Sequence, residues 1–501
     1  MQQLITWIES QSDLFLFTQT GFWIFYAIVL LINAVVCKNR ILRSSFLFVA
    51  SLYFYYKTGG YFFTLLIIST IVDYSIGLFL GKAQNKYLRK LLVFFSLLIN
   101  LGVLAYFKYT YFILDLYSSV SHQPIKVFDF LANEMNKLAG TSFNIDSITL
   151  PVGISFFTFQ TISYTIDVYR KELKPVRNII DFGFYVSFFP QLIAGPIVRA
   201  RTFIPQIYKR FVVSNKWMWW SFLWILGGLF KKMVISDYIS VNFVDRVFEH
   251  PIAYSGFEVL MAVYGYALQI YCDFSGYTDI AMGVALLLGF RLPVNFNYPY
   301  KATSIRDFWR RWHISLSSWL RDYLYIPLGG NKGNSIRTGF NLMLTMLLGG
   351  LWHGAALKFV VWGGLHGLGL VFNRIVNGIW KINGNKITRL ISWFFTFHFV
   401  VFTWIVFRVE SIESAEILIT RLFRAFMPNH VMDVVLSQTY LFLLILFGFI
   451  IHFIPSVWHH RGKLFFLKLP LIVKLIVSAS MIYIIIQLHQ SDILPFIYFR
   501  F

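Results

Sequence analysis

His353 is a titratable side chain set among small residues in an otherwise apolar stretch. It lies near the end of an uncharged run, with Gly349 and Gly350 before it and Gly354 directly after it. Glycines let other backbones or an extended ligand approach closely, so a substrate can reach the imidazole. A polar titratable group at membrane depth is costly and indicates a functional site. On residue chemistry alone, His353 is therefore a candidate functional residue, and the alternative is a packing or hydrogen-bonding role.

A basic and aromatic block over residues 306–322 is the second candidate. It combines His313 with four arginines and three tryptophans, namely Arg306, Arg310, Arg311, Arg321, Trp309, Trp312 and Trp319. At 3.6 residues per turn the tryptophans fall along one broad stripe of a helix, with His313 beside Trp309. The block is either an amphipathic helix whose arginines meet anionic lipid, or a cytoplasmic mouth. In the second case the arginines attract an anionic, phosphate-bearing donor while His313 points inward.

Three further motifs have simpler interpretations. Asp273 and Asp279 flank a Ser-Gly-Tyr segment between two apolar runs, where an acid pairs helices as often as it takes part in catalysis. The glycine-rich segment 329–333 lacks the spacing of a phosphate-binding loop and predicts a tight turn. The segment 190–196 has a proline at each end, which membranes tolerate only where the backbone is shielded by protein or lines a cavity. We expect a re-entrant wall there.

Composition shows what surrounds these motifs. Hydrophobic residues make up 57% of the 501-residue chain, aromatic residues 20% and charged residues only 13%. A soluble fold of this size could not hide so much apolar surface, which excludes a soluble enzyme and a disordered scaffold. The net charge of +21 comes from short basic clusters between apolar stretches, so it orients the chain in the bilayer and indicates no nucleic-acid partner. The two cysteines cannot build a disulfide framework, and no metal site is expected.

Uncharged runs indicate which elements position the motifs. About 20 apolar residues span the hydrocarbon of a bilayer. By that measure the chain predicts about ten to twelve membrane segments in one integral membrane domain over residues 1–501, with no soluble domain appended. The clearest runs are 14–37, 91–107, 147–166, 338–357, 390–407, 434–460 and 475–491.

Basic clusters predict the orientation of these segments. The stretch 301–337 carries seven basic and two acidic residues, and further clusters follow the first and third predicted spans. Cytoplasmic loops carry the excess of Lys and Arg, so we expect 301–337 in the cytoplasm. The chain start, with Glu9 and Asp13, and the loop 118–146 are then expected outside.

Five ordered motifs resemble one known family, the membrane-bound O-acyltransferases, and within it the bacterial alginate O-acetyltransferase-like branch. A single Trp-His-Gly motif would be weak evidence, but five blocks in the expected order are specific. Cys272 is the one departure, at a position where the branch usually has an aromatic residue. The motifs are densest over 150–370, and the blocks are 150–160, 189–199, 271–279, 308–316 and 352–355.

The resemblance implies a fold and roles for the site residues. It implies an all-α polytopic bundle of about 11 transmembrane helices, with re-entrant segments around a central tunnel. His353 matches the catalytic histidine of the family. His313 matches a second polar position, which either orients the donor or stabilises a developing oxyanion. Donor-binding contacts are expected from Arg310, Arg311, Trp309 and Trp312.

The resemblance also implies the reaction. Family members pass an acyl group from a cytoplasmic thioester to a hydroxyl, and the donor expected here is acetyl-CoA, as a substrate, with no tightly bound cofactor. The expected acceptor is an extracytoplasmic polysaccharide such as alginate. An extracytoplasmic acetyl-relay protein with a serine nucleophile is the expected partner. The expected location is the bacterial cytoplasmic (inner) membrane, where the chain crosses the lipid several times.

Two rival functions remain open from the sequence. The first is D-alanyl transfer to teichoic acid from a carrier-protein thioester, which uses the same chemistry. The second is a transporter that moves an intact substrate and catalyses nothing. Transporters commonly show inverted repeats with paired broken helices, and no such self-similarity is found in this chain.

Overall fold

The structure is a computed structural model of the chain. It describes residues 15–123, 125–140, 143–192, 195–210, 212–379, 385–488 and 496–497. The predicted external position of Glu9 and Asp13 lies outside the described residues.

Helices form nearly all the regular structure, and no strand occurs among the described residues. The first half of the chain contains α1 Thr20–Val36, α2 Arg40–Gly59, α3 Phe63–Lys82, α4 Lys86–Leu104, α5 Thr110–Ser121, α6 Phe130–Ala139, α7 Ile154–Tyr169, α8 Ile179–Ser187, α9 Phe189–Leu192, α10 Ala200–Ile207, α11 Asn215–Leu229, α12 Asp237–Ile239 and α13 Asp245–Glu249. The π-helical segments in this half are Ala105–Tyr109, Phe230–Ser236 and Ser240–Val244.

The second half continues in the same way. Its helices are α14 Gly256–Leu287, α15 Ile305–Trp309, α16 Ile314–Leu320, α17 Ser335–His353, α18 Leu357–Ile379, α19 Lys386–Arg408, α20 Ile412–Arg424, α21 Val431–Ser437, α22 Thr439–Phe453, α23 Ser456–Lys468 and α24 Leu471–Leu488. A further π-helical segment, Arg321–Tyr325, follows α16.

Polar side chains fix where the helices α14 and α17 begin. At the start of α14, Ser255 Oγ accepts the backbone N–H of Glu258 at 3.3 Å, and the Glu258 carboxylate accepts the backbone N–H of Ser255 at 2.8 Å. At the start of α17, Asn334 Oδ1 accepts the backbone N–H of Arg337 at 2.8 Å. Each contact satisfies an N–H that the first helical turn leaves without a partner.

The long helix α14 lies at the centre of the fold and is buried along most of its length. Glycines let it approach α11 closely: a Cβ on Gly276 would lie 2.8 Å from the Gly228 carbonyl oxygen, and a Cβ on Gly283 would lie 2.7 Å from that of Ser221. Small residues of this kind are the usual contact between helices in membranes. Because α14 is one continuous helix over Gly256–Leu287, the two apolar runs on either side of Asp273 belong to the same helix.

Several helices are long and apolar enough to cross a membrane. Among the described residues there are six, or seven if the bent pair Pro428–Ser437 and Thr439–Phe453 counts as one span. This confirms an all-helical membrane protein, while the expected count of about eleven crossings stays a prediction. The six are Arg40–Lys82, Lys86–Ser121, Asn215–Glu249, Leu357–Val376, Lys386–Arg408 and Leu471–Leu488.

Apolar side chains exposed on these helices mark the surface that faces lipid. On α19, Leu390, Ile391, Phe394 and Phe395 are all exposed and recur with the spacing of one helix face. Trp404 on the same helix is fully buried. An apolar outer face is expected where the surrounding solvent is hydrocarbon.

Two predicted segments have distinct outcomes. The segment 329–333 is a turn, in which Gly329, Gly330 and Gly333 have positive φ angles of 113°, 55° and 131°, so the prediction is confirmed. In the segment 190–196, α9 is buried and ends at Leu192. The next two residues lie outside the described part of the chain, so the re-entrant wall stays a prediction.

Labelling of single cysteines tests the predicted orientation. In a chain with Cys37 and Cys272 replaced by serine, Lys332→Cys should react with a membrane-impermeant maleimide only from the cytoplasmic side. This is expected because the positive charge of 301–337 keeps that stretch in the cytoplasm. Gln123→Cys, in the loop 118–146 that is expected outside, should react only from outside. Both positions are exposed, so the protein itself does not block the reagent. Labelling of Lys332→Cys in intact cells would invert the predicted topology.

Candidate active site

His353 is the last residue of α17 and is only 4% exposed. The helix is held against α18 by direct backbone packing. A Cβ on Gly350 would lie 2.2 Å from the Phe359 carbonyl oxygen, and a Cβ on Gly363 would lie 2.3 Å from that of Met346. Only glycine fits at such distances, so the small residues beside His353 set the approach of the two helices.

Aromatic rings surround the His353 imidazole. The ring centroids of Trp352, Trp362 and Phe407 lie 5.1, 5.1 and 5.6 Å from that of His353. All three pack edge to face with it, an arrangement that aromatic rings favour at these distances. The histidine therefore lies in an apolar interior from which bulk water is largely displaced.

His313 lies between α15 and α16, where the helical structure is interrupted. Its φ angle of 42° places it in the left-handed region, which non-glycine residues rarely adopt. Asn295 stabilises this conformation: its carbonyl oxygen accepts the backbone N–H of Ile314 at 2.9 Å, and its side-chain oxygen accepts the backbone N–H of Ser315 at 3.0 Å. The same side-chain oxygen lies 3.3 Å from His313 Nδ1.

The structure brings the two predicted histidines together. The ring centroids of His313 and His353 are 6.5 Å apart, and both side chains are buried. Phe274 on α14 packs edge to face on His313 at 4.7 Å, which holds the ring in place. Two imidazoles at this separation can both reach one small reacting group that lies between them at hydrogen-bond distance.

The basic and aromatic block is not one helix, so the predicted single stripe of tryptophans is wrong. The helical structure is interrupted between α15 and α16, and the three tryptophans contact different parts of the protein. Trp312 is fully buried and packs on Trp404, whereas Trp319 stacks on Phe159 at 3.7 Å. The left-handed conformation of His313 turns the chain and separates their directions.

The remaining residues of the block divide between surface and core. Arg310 is exposed, and Arg311 is partly exposed and pairs with Asp307 at 2.9 Å. The Trp309 indole N–H donates to His366 Nδ1 at 3.3 Å. The arginines are therefore open to solvent, while Trp309 and Trp312 attach their segment to the core.

His366 on α18 is a buried histidine that the sequence analysis did not single out. Its Nε2 lies 3.0 Å from Thr403 Oγ1, and its ring packs on Trp362 at 4.8 Å. Because Trp362 also contacts His353, His366 supports one wall of the site. Glycines before and after His366 are the same signal that singled out His353.

Asp273 and Asp279 on α14 form ion pairs with neighbouring lysines. Lys232 lies 2.5 Å from Asp273 and 2.8 Å from Asp237, and Lys231 pairs with Asp279. Both lysines come from the π-helical segment after α11. Buried charges are stable only when they are paired, so these acids join helices, which is one of the two roles expected for them.

A charged groove of about 420 Å³ lies beside Tyr323 and Asp322. Arg170 and Arg201 line it, and Arg199 pairs with Asp322 at 2.6 Å. Burial alone would raise the pKa of the Asp322 carboxyl, but hydrogen bonds from Arg321 and Arg199 outweigh that effect and hold the pKa below its usual range. Asp322 is therefore ionised at neutral pH and keeps the arginines in position.

A series of aromatic contacts connects this groove with His353. Tyr323 packs on Trp319 at 5.2 Å, and Trp319 stacks on Phe159. Phe159 packs on Trp352 at 5.4 Å, and Trp352 contacts His353. The part of the chain that the structure describes contains no group of three His, Cys, Asp or Glu residues placed to hold a metal ion.

Comparison with known proteins assigns this arrangement to a class. Residues 61–415 match the model of the membrane-bound O-acyltransferase family, and the chain belongs to that family. It is therefore an O-acyltransferase.

Individual relatives support the same class. The chain is 39% identical over 380 residues to a probable alginate O-acetylase of Pseudomonas aeruginosa, covering 74% of this chain and 68% of the relative. It is 35% identical over 408 residues to the peptidoglycan O-acetyltransferase of Helicobacter pylori, covering 75% and 73%. It is 30% identical over 274 residues to the teichoic acid D-alanyltransferase of Bacillus subtilis, covering 51% and 68%.

The packing of α17 on α18 makes a stability prediction. Gly350→Ala should lower the free energy of unfolding by about 1–3 kcal/mol, because the new methyl group meets backbone that cannot move aside. Gly339→Ala on the same helix is the matched control, since its Cβ would have only ordinary contacts, the nearest with Val371 at 3.8 Å. Thermal unfolding of both variants in detergent measures the difference, and equal stability would contradict the close packing.

Proposed function

We propose that this protein moves an acetyl group from cytoplasmic acetyl-CoA across the bacterial cytoplasmic membrane, for O-acetylation of an extracytoplasmic polysaccharide such as alginate. The observation that carries the proposal is the pair of buried imidazoles, His313 and His353, with ring centroids 6.5 Å apart in an aromatic interior. Membership of an O-acyltransferase family and the relatives named for O-acetylation support it.

His353 acts as the general base in this proposal. The acceptor hydroxyl oxygen attacks the thioester carbonyl while the His353 imidazole takes its proton. The carbon–sulfur bond then breaks, the thiolate of CoA leaves, and the proton on His353 passes to it or to solvent. His313 orients the donor or stabilises the negative charge that develops on the carbonyl oxygen.

The donor needs positive charge outside the hydrocarbon for its phosphates. Arg310 and Arg311 supply it at the break before α16, and Trp309 and Trp312 hold that segment in place through buried contacts. Arginine is suited to phosphate because its planar guanidinium donates two parallel hydrogen bonds. The charged groove with Arg170 and Arg201, where Arg201 pairs with Glu172 at 2.6 Å, is connected to His353 by the series of aromatic contacts.

The acceptor side requires other molecules. The described residues form a membrane-embedded helical protein, and we infer that an extracytoplasmic relay protein with a serine nucleophile receives the acetyl group and passes it to the polysaccharide. We also infer one domain over residues 1–501 with about eleven crossings around a central tunnel. We expect further crossings from helices such as α7 and α14, which are buried in the bundle and carry polar residues.

D-alanyl transfer to teichoic acid is the second candidate. The D-alanyltransferase of Bacillus subtilis aligns with 51% of this chain, against 74% for the alginate O-acetylase of Pseudomonas aeruginosa, so acetyl transfer is favoured. Purified protein given labelled acetyl-CoA and, separately, a D-alanyl carrier protein distinguishes them. Turnover of the carrier thioester alone would reverse the preference.

Replacement of the two histidines tests the proposed roles. His353→Ala should lower acetyl transfer by about two orders of magnitude or more, because the acceptor hydroxyl loses its base. His313→Ala should also slow turnover but leave a measurable residual rate. The assay is release of CoA from labelled acetyl-CoA by purified protein.

His398→Ala is the matched control for these variants. That histidine hydrogen bonds to Tyr264 at 2.9 Å and to a carbonyl of its own helix, so its loss should leave the rate unchanged. Retention of activity within about tenfold in His353→Ala would remove it from the role of base.

A further inference from the structure

The helix that ends at His353 ends inside the protein. After His353 the backbone of Gly354 is extended, with φ −163° and ψ 151°, and α18 begins at Leu357. The last carbonyl groups of any α-helix have no partner within the helix. In a membrane interior such a group is strongly unfavourable unless something else donates to it. The end of α17 therefore needs donors from elsewhere in the fold.

Two neighbouring side chains supply those donors. The Tyr109 hydroxyl donates to the Leu351 carbonyl oxygen at 2.9 Å. The Lys108 ammonium donates to the carbonyl oxygens of Trp352 at 2.6 Å and His353 at 3.3 Å. The last three carbonyls of α17 are thus satisfied by two consecutive residues of another helix.

The local backbone explains how two consecutive residues reach the same target. Lys108 and Tyr109 lie in the π-helical segment Ala105–Tyr109, between α4 and α5. A π-helical turn contains one residue more than an α-helical turn, so it changes the directions of the side chains that follow. Such turns are rare and occur frequently at functional sites.

Lys108 is a cation that the proposed reaction has not used. Its remaining polar contact is the Ser155 hydroxyl at 3.5 Å, and within the described residues no carboxylate pairs with it. Its ammonium also lies 5.8 Å from the centre of the Trp352 ring. A lysine within a membrane helix is costly and needs a specific role. Positive charge at a helix C-terminus stabilises that end, because the helix dipole is negative there.

We propose that Lys108 is a positioning residue for His353. Its ammonium fixes the backbone of Trp352 and His353 at the point where α17 stops, and so holds the imidazole in the direction that the reaction requires. The proposal rests on the proposed function for its catalytic consequence, but the hydrogen bonds it invokes are independent of the substrate. Proton transfer is sensitive to such positioning, because a displacement of about 1 Å costs on the order of a hundredfold in rate.

The chain contains a matched control for this contact. Lys301 donates to the Ile454 carbonyl oxygen at 2.6 Å, at the C-terminal end of α22. Both lysines therefore satisfy the end of a helix with one ammonium group. Of these two helices, only α17, whose last carbonyls accept from Lys108, ends in a candidate catalytic residue. Comparing the two substitutions therefore separates an effect on the position of His353 from an effect on the stability of the fold.

Kinetics of Lys108→Met and Lys301→Met in the purified full chain test the proposal. With acetyl-CoA as donor, Lys108→Met should lower kcat by about tenfold to a hundredfold, with KM for acetyl-CoA changed by less than about threefold. Lys301→Met should keep the kcat of the unmodified chain. Added ethylamine should restore part of the rate of Lys108→Ala, because a small ammonium ion can replace the lost donor. A kcat that is unchanged in Lys108→Met, or reduced equally in Lys301→Met, would overturn the proposal.

Hydrogen exchange gives a measurement that does not depend on activity. Amides in the peptide 345–356 should exchange faster in Lys108→Met than in the unmodified chain, with no change in Lys301→Met. If Lys108→Met does not fold, Tyr109→Phe removes one of the three contacts and should produce a smaller change in the same peptide. Faster exchange in a chain that never consumes acetyl-CoA would disprove the proposed function and keep the role of Lys108. Unchanged exchange of this peptide in Lys108→Met and in Tyr109→Phe would disprove the positioning role of Lys108.

Discussion

Backbone polar groups inside a bilayer have no water to bond with, and this constraint governs the candidate site. The helix α17 ends at His353, beside His313, so its last carbonyl groups lie in the protein interior and need donors. The structure meets that need with Lys108 and Tyr109, which donate to the last three carbonyls. Glycines in α17 and α18 then bring the two backbones into direct contact, so the position of His353 follows from packing as well as from hydrogen bonds.

The site is built from segments that are far apart in the sequence. His313 is held by Asn295 and by Phe274, whereas His353 is surrounded by Trp352, Trp362 and Phe407. The aromatic rings displace water, so a thioester in this interior would meet the acceptor hydroxyl in preference to solvent. The charged groove lies at the other end of the aromatic contacts, beside the ionised Asp322. The charged groups of the groove and the two imidazoles proposed for proton transfer are therefore separated in space.

Local patterns in the sequence predicted the helical membrane class and both histidines, because hydrophobic runs and glycine-flanked polar residues are local signals. They did not predict the interruption of the helix at His313, since the tryptophan spacing fits a continuous helix and Asn295, which stabilises the left-handed conformation, comes from another segment. Lys108 closes an apolar run in the sequence and resembles the end of a span; its contacts with α17 depend on a π-helical turn that spacing does not reveal. His366 carried a usable signal, the flanking glycines, and was overlooked. The other parts of the site depend on contacts between segments that are distant in the sequence, which local patterns do not show.

We propose that the acyl group lies between His353 and His313 during transfer. The most direct measurement is an experimental structure of the protein with a thioether analogue of acetyl-CoA, in which a ketone replaces the reactive carbonyl. The ketone should lie within about 3.5 Å of both imidazoles, with the phosphates of the analogue against arginine side chains outside the hydrocarbon. A ketone in contact with neither imidazole, in a preparation that turns over acetyl-CoA before the analogue is added, would exclude this position.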